Sequence, residues 1–352
     1  MSSRRLVLHM DLNKTIIMKD AAQGLTVDQT LNKILADCVW GNVTEKGGEY
    51  TWRSGHDTPT AKCPNPELVT YNDFVHDQYP MKTEEEEPDE EARTAHNQEA
   101  KETRTSLLTE FTAHGQPGYR FKNSLDKMSR CLLLPKSVIE EMEVANEEDK
   151  EEDYEGAEGN KINRLFAGGK VYMVPSFFRL LLSLRKSKRE YAVVFRTFGS
   201  DLPDAVLEFN SFCEGFHPCY NGKNGTPLAR FDGSKGTKDM RITNANSGYF
   251  RRHADNPEDV DLILGTSEKA PEGTTDEEYH AGQIDEGDIS ITKSLGSVHI
   301  KINETLNRTC SMAITDDWNT WNSYGEQSKY GKLLSIDQQD YTTHHVFFDD
   351  NT

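Results

Sequence analysis

The sequence has no apolar run near the ~20 residues that a membrane-spanning helix needs. Its longest candidate, Phe177 to Leu184, is short and is interrupted by Arg179 and Ser183. It also lacks paired cysteines. Cys38, Cys63, Cys131, Cys213, Cys219 and Cys310 form no CxxC pair and no His/Cys zinc spacing, so reduced thiols are expected. A basic excess is missing too: 40 Lys+Arg against 59 Asp+Glu leave a formal charge of −19. General nucleic-acid or anionic-membrane binding needs a basic face to displace counterions. Met1 to Asp11 lack the long apolar segment and small-residue cleavage site of a signal peptide. The expectation is a cytoplasmic protein with no nucleic-acid or membrane partner, in which the sequons at Asn42, Asn224, Asn303 and Asn307 stay idle. Hydrophobic residues make up 35% of the 352, below the usual globular share, which suggests a compact core diluted by polar insertions.

What is present follows an α/β order. Leu6-Val7-Leu8-His9-Met10 reads as a buried strand feeding the polar loop Asp11-Leu12-Asn13-Lys14-Thr15. Residues 21–165 then form an insertion with two acidic runs, Glu84 to Glu91 and Glu140 to Glu158, flanking apolar positions between Phe121 and Leu134. Pro175 opens a helix whose buried face is Phe177, Phe178, Leu181, Leu182 and Leu184. Tyr191 to Phe195 reads as a second buried strand, ending in the loop Arg196 to Asp201, with a helix predicted over Pro203 to Phe212. Residues 219–295 read as a loop-rich excursion, a second cap or lid, with Val260 to Leu264 as a third strand. The expected fold is α/β, with a Rossmann-like three-layer core built on a parallel sheet over residues 1–20 and 166–352. The cap-type insertion, 21–165, lies between the first and second core strands.

In open α/β sheets, ligands bind at the C-terminal ends of the strands. The loops expected there supply Asp11, Asn13 and Thr15, then Thr197 with Ser200 nearby, then Asp349 and Asp350, with Lys332 preceding them. Separated carboxylates with a lysine and a hydroxyl suit Mg²⁺ and a phosphoryl group. The acids hold a hard cation, while Lys and Thr neutralise and orient phosphate oxygens.

Asp11-Leu12-Asn13-Lys14-Thr15-Ile16 after an apolar strand resembles the first motif of the haloacid dehalogenase-like hydrolase superfamily. Tyr191 to Thr197 resembles its second motif, Lys332 its third-motif lysine, and Val346 to Asp350 its fourth motif of paired acids. The resemblance implies that Asp11 is a covalent nucleophile forming an aspartyl-phosphate. It implies Mg²⁺ between the Asp11 carboxylate, the Asn13 backbone carbonyl and an acid of the Asp349/Asp350 pair. Thr197 and Lys332 would then hold the phosphoryl group.

One position departs from the pattern. Phosphatases of the superfamily usually carry a second Asp where this chain has Asn13, which cannot donate or accept a proton in that way. Acid–base assistance is typically worth 10²–10⁴-fold, so slow hydrolysis is expected unless another group substitutes, and Asn13→Asp is expected to raise it. His9 is expected to be a packing residue.

The leading expectation is a Mg²⁺-dependent phosphohydrolase or phosphotransferase acting on a small phosphorylated metabolite. The alternative is a catalytically weak relative that binds a phosphorylated ligand, or a protein partner through the acidic insertion; carbon–halogen cleavage ranks last. Two residue choices stay open. Lys329 competes with Lys332, and Asp316/Asp317, with Lys301 upstream, competes with Asp349/Asp350. The terminal pair is preferred because Val346-Phe347-Phe348 are stronger β formers, and because Trp318 and Trp321 suggest that Asp316 and Asp317 sit on a helix. A doubly wound sheet normally continues past such a strand, whereas this sequence stops two residues after Asp350, so truncation also stays open.

Overall fold

The computed structural model describes residues 4–350 except 19–23, 149–163, 167, 224, 254–255, 257–258 and 272. Asn224 and the acidic stretch beyond Glu148 therefore lie outside the described residues. The chain divides into two compact units, one of Met1–Ile17 with Leu134–Thr352, the other of Met18–Leu133.

The first unit is a mixed α/β structure on a seven-stranded sheet. Its strands are β1 (Arg5–Asp11), β5 (Tyr191–Thr197), β6 (Ser247–Arg252), β7 (Val260–Leu264), β8 (Ser290–Thr292), β9 (Ser311–Thr315) and β10 (Thr343–Phe348), in the order β10-β1-β5-β9-β6-β7-β8. The five strands from β10 to β6 pair in parallel, while β7 and β8 add antiparallel partners at one edge. Parallel strands buried on both faces read as continuous apolar runs, as β5 does: all seven of its residues are buried.

Alternation along the strands sends side chains to two cores. Leu8, Met10, Val193 and Phe195 pack against helices Pro175–Lys186 and Leu202–Glu214 through Phe177, Phe178, Phe209 and Phe212. Val7, Val194, Met312 and Ile314 pack on the other side, with Val298 and Leu306 of helix Leu295–Thr309. Helices thus cover both faces and every strand end is held in register.

Residues 219–295 are more ordered than a loop-rich excursion, because they supply β6, β7 and β8. The Val260 to Leu264 strand is present but runs antiparallel to β6. At Gly248 in β6, a Cβ would lie 1.8 Å from the Ile263 carbonyl oxygen, so only glycine permits this pairing. A second correction concerns Asp316 and Asp317. They do not lie on the helix: Ala313-Ile314-Thr315 is strand, Asp316 follows it, and Asp317 caps the short helix Trp318–Ser323 by accepting from Thr320 N.

The second unit pairs β2 (Trp40–Lys46) antiparallel with β3 (Glu49–Ser54) and β4 (Val69–Thr70), beside helices such as Val27–Cys38 and Glu90–Thr109. Trp52, Tyr71 and Phe111 pack ring to ring in its core. Part of the acidic run has a local purpose. Asp89 caps helix Glu90–Thr109, whose first turn carries Glu90 and Glu91, where the helix dipole favours negative charge. Helix Lys136–Glu148 belongs to the first unit, where Val138 packs with Leu134 and Phe166. Among the described residues no helix is long and apolar enough to cross a membrane, and all six cysteines are free.

His9 is a buried member of β1. Its Nε2 lies 3.1 Å from His345 Nδ1, and its own Nδ1 has no hydrogen-bond partner among the described residues. Burial, then the Arg196 charge, hold the His9 imidazole well below its ordinary pKa of 6.5, and burial lowers His345 as well. A histidine kept neutral in the fold takes up its proton only on unfolding, so its contribution to stability is lost as pH falls below the unfolded value of about 6.5. Denaturant titrations at pH 7 and pH 5 check this. His9→Leu should gain stability relative to the unsubstituted chain at the lower pH, and a difference independent of pH would contradict it.

Candidate functional site

The parallel register sets the first two components. Met10 of β1 lies opposite Phe348 of β10, so the next residues, Asp11 and Asp349, emerge together at the C-terminal edge. Immediately after β1 the chain turns tightly: the Leu12 carbonyl accepts from Thr15, Ile16 and Ile17 N, and Lys14 takes a left-handed conformation with φ 60°. This turn folds Thr15 back so that its hydroxyl donates to Asp11 Oδ2 at 3.1 Å.

One carboxylate oxygen from each of Asp11, Asp349 and Asp350 lies within 4.8 Å of the others. Lys332 Nζ bridges two of them, 2.5 Å from Asp11 Oδ1 and 2.8 Å from Asp349 Oδ2, while Lys14 Nζ lies 2.5 Å from Asp350 Oδ2. Burial pushes the Asp11 carboxyl up to about 6; Lys332 opposes the shift, and the charges of Asp349 and Asp350 add to it. For Lys332, burial is the largest influence and lowers its pKa, yet Asp11 and Asp349 together outweigh it and hold the ammonium above its ordinary value. Three carboxylates offering hard oxygen donors fit a divalent cation of the Mg²⁺ or Mn²⁺ type.

Thr197 ends β5, the other neighbour of β1, and is buried. Its Oγ1 accepts from Gly199 N at 2.9 Å, which leaves the hydroxyl hydrogen available for donation. Asn13 enters the same edge from the turn, with Nδ2 3.0 Å from Asp201 Oδ2. The exposed Ser200 follows on this loop, and Lys329 lies over the Tyr330 ring.

The two acid pairs have different surroundings. Asp349 and Asp350 join Asp11. Asp316 is buried in a two-point ion pair with the equally buried Arg196, whose Nη1 also donates to the Leu333 carbonyl at 2.7 Å. Asp317 accepts from Arg252 N at 2.9 Å besides capping its helix. These acids hold the sheet edge together.

Sequence reasoning missed two parts of this edge. Phe198 lies under Lys332 Nζ, 5.1 Å from the ring centroid, and stacks on Trp321 with centroids 4.6 Å apart. Asp201, which in the sequence is only the last residue of the loop after β5, is the other. The aromatic stack had no local signal, since its members lie far apart in the chain.

Comparison of the chain with family models, with curated proteins and with solved structures finds no match.

Removing one partner of a buried ion pair leaves an uncompensated charge, at a cost of about 3–5 kcal/mol. Asp316→Ala should therefore lose stability of that order in denaturant titrations while retaining Mn²⁺ binding. Asp349→Asn leaves Lys332 paired with Asp11 and should instead lose Mn²⁺ binding with the smaller change in stability. Loss of cation binding in Asp316→Ala that remains folded would contradict the assignment.

Proposed function

We propose that this chain is a divalent-cation-dependent phosphohydrolase or phosphotransferase acting through an aspartyl-phosphate on Asp11, with a small phosphorylated metabolite as substrate. The observation that carries the reading is the convergence of Asp11, Asp349 and Asp350 around Lys332 at the C-terminal ends of two paired parallel strands. In this reading the chain is a haloacid dehalogenase-like protein, the unit inserted between β1 and β5 is its cap, and Mg²⁺ is its cation. The free cysteines support a reducing, cytoplasmic setting.

The residues divide the work as follows. Asp11, Asp349 and Asp350 would hold the cation, joined by the Asn13 backbone carbonyl that the resemblance implies. When bound, it would neutralise charge on the phosphoryl oxygens and on the attacking carboxylate. A carboxylate oxygen of Asp11 attacks phosphorus, and the bond from phosphorus to the leaving oxygen breaks. Lys332, already on Asp11 and Asp349, is placed to compensate the charge that gathers there. Thr197 donates its remaining hydrogen to a phosphoryl oxygen. The buried setting of Asp11 excludes water and strengthens each of these interactions.

A second reading, a protein that binds a phosphorylated ligand with little turnover, is favoured by one observation. The side chain at position 13 is an amide engaged with Asp201 rather than an acid.

Phosphate release from a panel of phosphorylated metabolites, with Mg²⁺ and with EDTA, tests the proposal. Release should need the cation and fall by at least about a thousandfold in Asp11→Asn. Release that survives either EDTA or the substitution would contradict it. No release from folded, cation-binding protein would favour the second reading.

A further inference from the structure

Asp201 stands at the N-cap of helix Leu202–Glu214, a position where Asp commonly accepts from the first-turn amides. Its side chain makes no such bond. The carboxylate is buried and turns to two neutral donors, with Oδ2 3.0 Å from Asn13 Nδ2 and Oδ1 3.3 Å from the Tyr172 hydroxyl. Burial, with Asp201 as the next influence, holds that phenol well above its ordinary pKa, so it remains a donor.

In both contacts Asp201 is the acceptor. Asp201 therefore compels the Asn13 amide to present its nitrogen, which leaves Asn13 Oδ1 as the acceptor on the other side. That oxygen is buried and has no hydrogen-bond partner among the described residues. An unsatisfied buried acceptor is unfavourable, and a ligand bringing a donor would relieve it. The pair lies beside Thr197. A Cβ on Gly199 would be 3.4 Å from Asp201 Oδ2, 3.6 Å from Thr197 Oγ1 and 3.7 Å from Asn13 Nδ2, so the three side chains meet around one bare α-carbon.

We infer that Asp201 is a positioning residue for Asn13, fixing its amide so that Oδ1 accepts a hydrogen bond from the O–H of the group that attacks the phosphoryl centre. This rests on the function proposed above and adds the chemistry of the second substrate, a water or an alcohol. As the attacking oxygen bonds to phosphorus, the bond from phosphorus to Asp11 breaks. With water, both of its protons leave on the product as dihydrogen phosphate, because the amide carbonyl orients the O–H without taking its proton. The inference also changes the meaning of Asn13→Asp. That exchange alone would set a second carboxylate about 3 Å from Asp201, where like charges repel. Exchanging both residues restores the hydrogen bond with donor and acceptor reversed.

Four proteins test this: the unsubstituted chain, Asn13→Asp, Asp201→Asn and the double exchange. Thermal unfolding should show Asn13→Asp losing several degrees and the double exchange regaining most of them. Decay of the phosphoenzyme formed from acetyl phosphate should slow about tenfold in Asp201→Asn. It should not accelerate in Asn13→Asp, and in the double exchange it should return at least to the original rate. Asn13→Asp matching or outpacing the double exchange in both stability and decay would overturn the inference. An unchanged decay rate in Asp201→Asn would overturn it equally. Absence of phosphoenzyme in all four, with the stability rescue intact, would contradict Asp11 as nucleophile while supporting the Asn13–Asp201 pairing.

Discussion

Three carboxylates meet within 4.8 Å at the candidate site, and Lys332 is the residue that makes their meeting tolerable. Uncompensated, such a cluster would repel itself, and each acid would hold its proton to escape the charge. The ammonium of Lys332 bridges Asp11 and Asp349, and Lys14 takes Asp350. The sheet supplies the geometry: parallel pairing of β1 with β10 delivers their terminal acids to the same level, and pairing with β5 brings Thr197 alongside.

The arrangement works against stability at neutral pH. Because burial raises the Asp11 carboxyl from 3.8 to about 6, the folded chain binds that proton more tightly than the unfolded chain does. The stability this confers is present at acid pH and lost as pH rises through about 6, a cost on the order of 3 kcal/mol by linkage. A bound cation would offset it. The strain belongs where it is found, since sites that must bind charge are often the less stable parts of a fold. The surrounding sheet compensates through apolar strands, helices on both faces and the buried Arg196–Asp316 pair.

Much of the framework was legible in the sequence because buried parallel strands are written as unbroken apolar runs. Leu6 to Met10 and Tyr191 to Phe195 lie in the central strands β1 and β5, while Val346 to Phe348 belong to the half-buried edge strand β10. Ser247 to Arg252 was not legible: its polar ends and glycine hide a strand whose position depends on the close approach of β7. Asp11, Asp349 and Asp350 could be picked out from their placement after strands, and Lys332 from its place ahead of the last strand. Asp201 could not, because an acid before a helix reads as a cap, and its actual partner lies 188 positions away in sequence. Local pattern reveals what an element needs, and long-range hydrogen bonds decide what a side chain does instead. The pair Asp316/Asp317 shows the same limit. It too follows a buried strand, and only the Arg196 contact marks it as structural.

The central claim is that Asp11, Asp349 and Asp350 form one cation site at the edge of β1 and β10. Crystals soaked in Mn²⁺ and measured for anomalous scattering test it most directly. A peak bounded by oxygens of all three residues is expected. A peak held by Asp316 and Asp317, or none at this edge under saturating Mn²⁺, would contradict it.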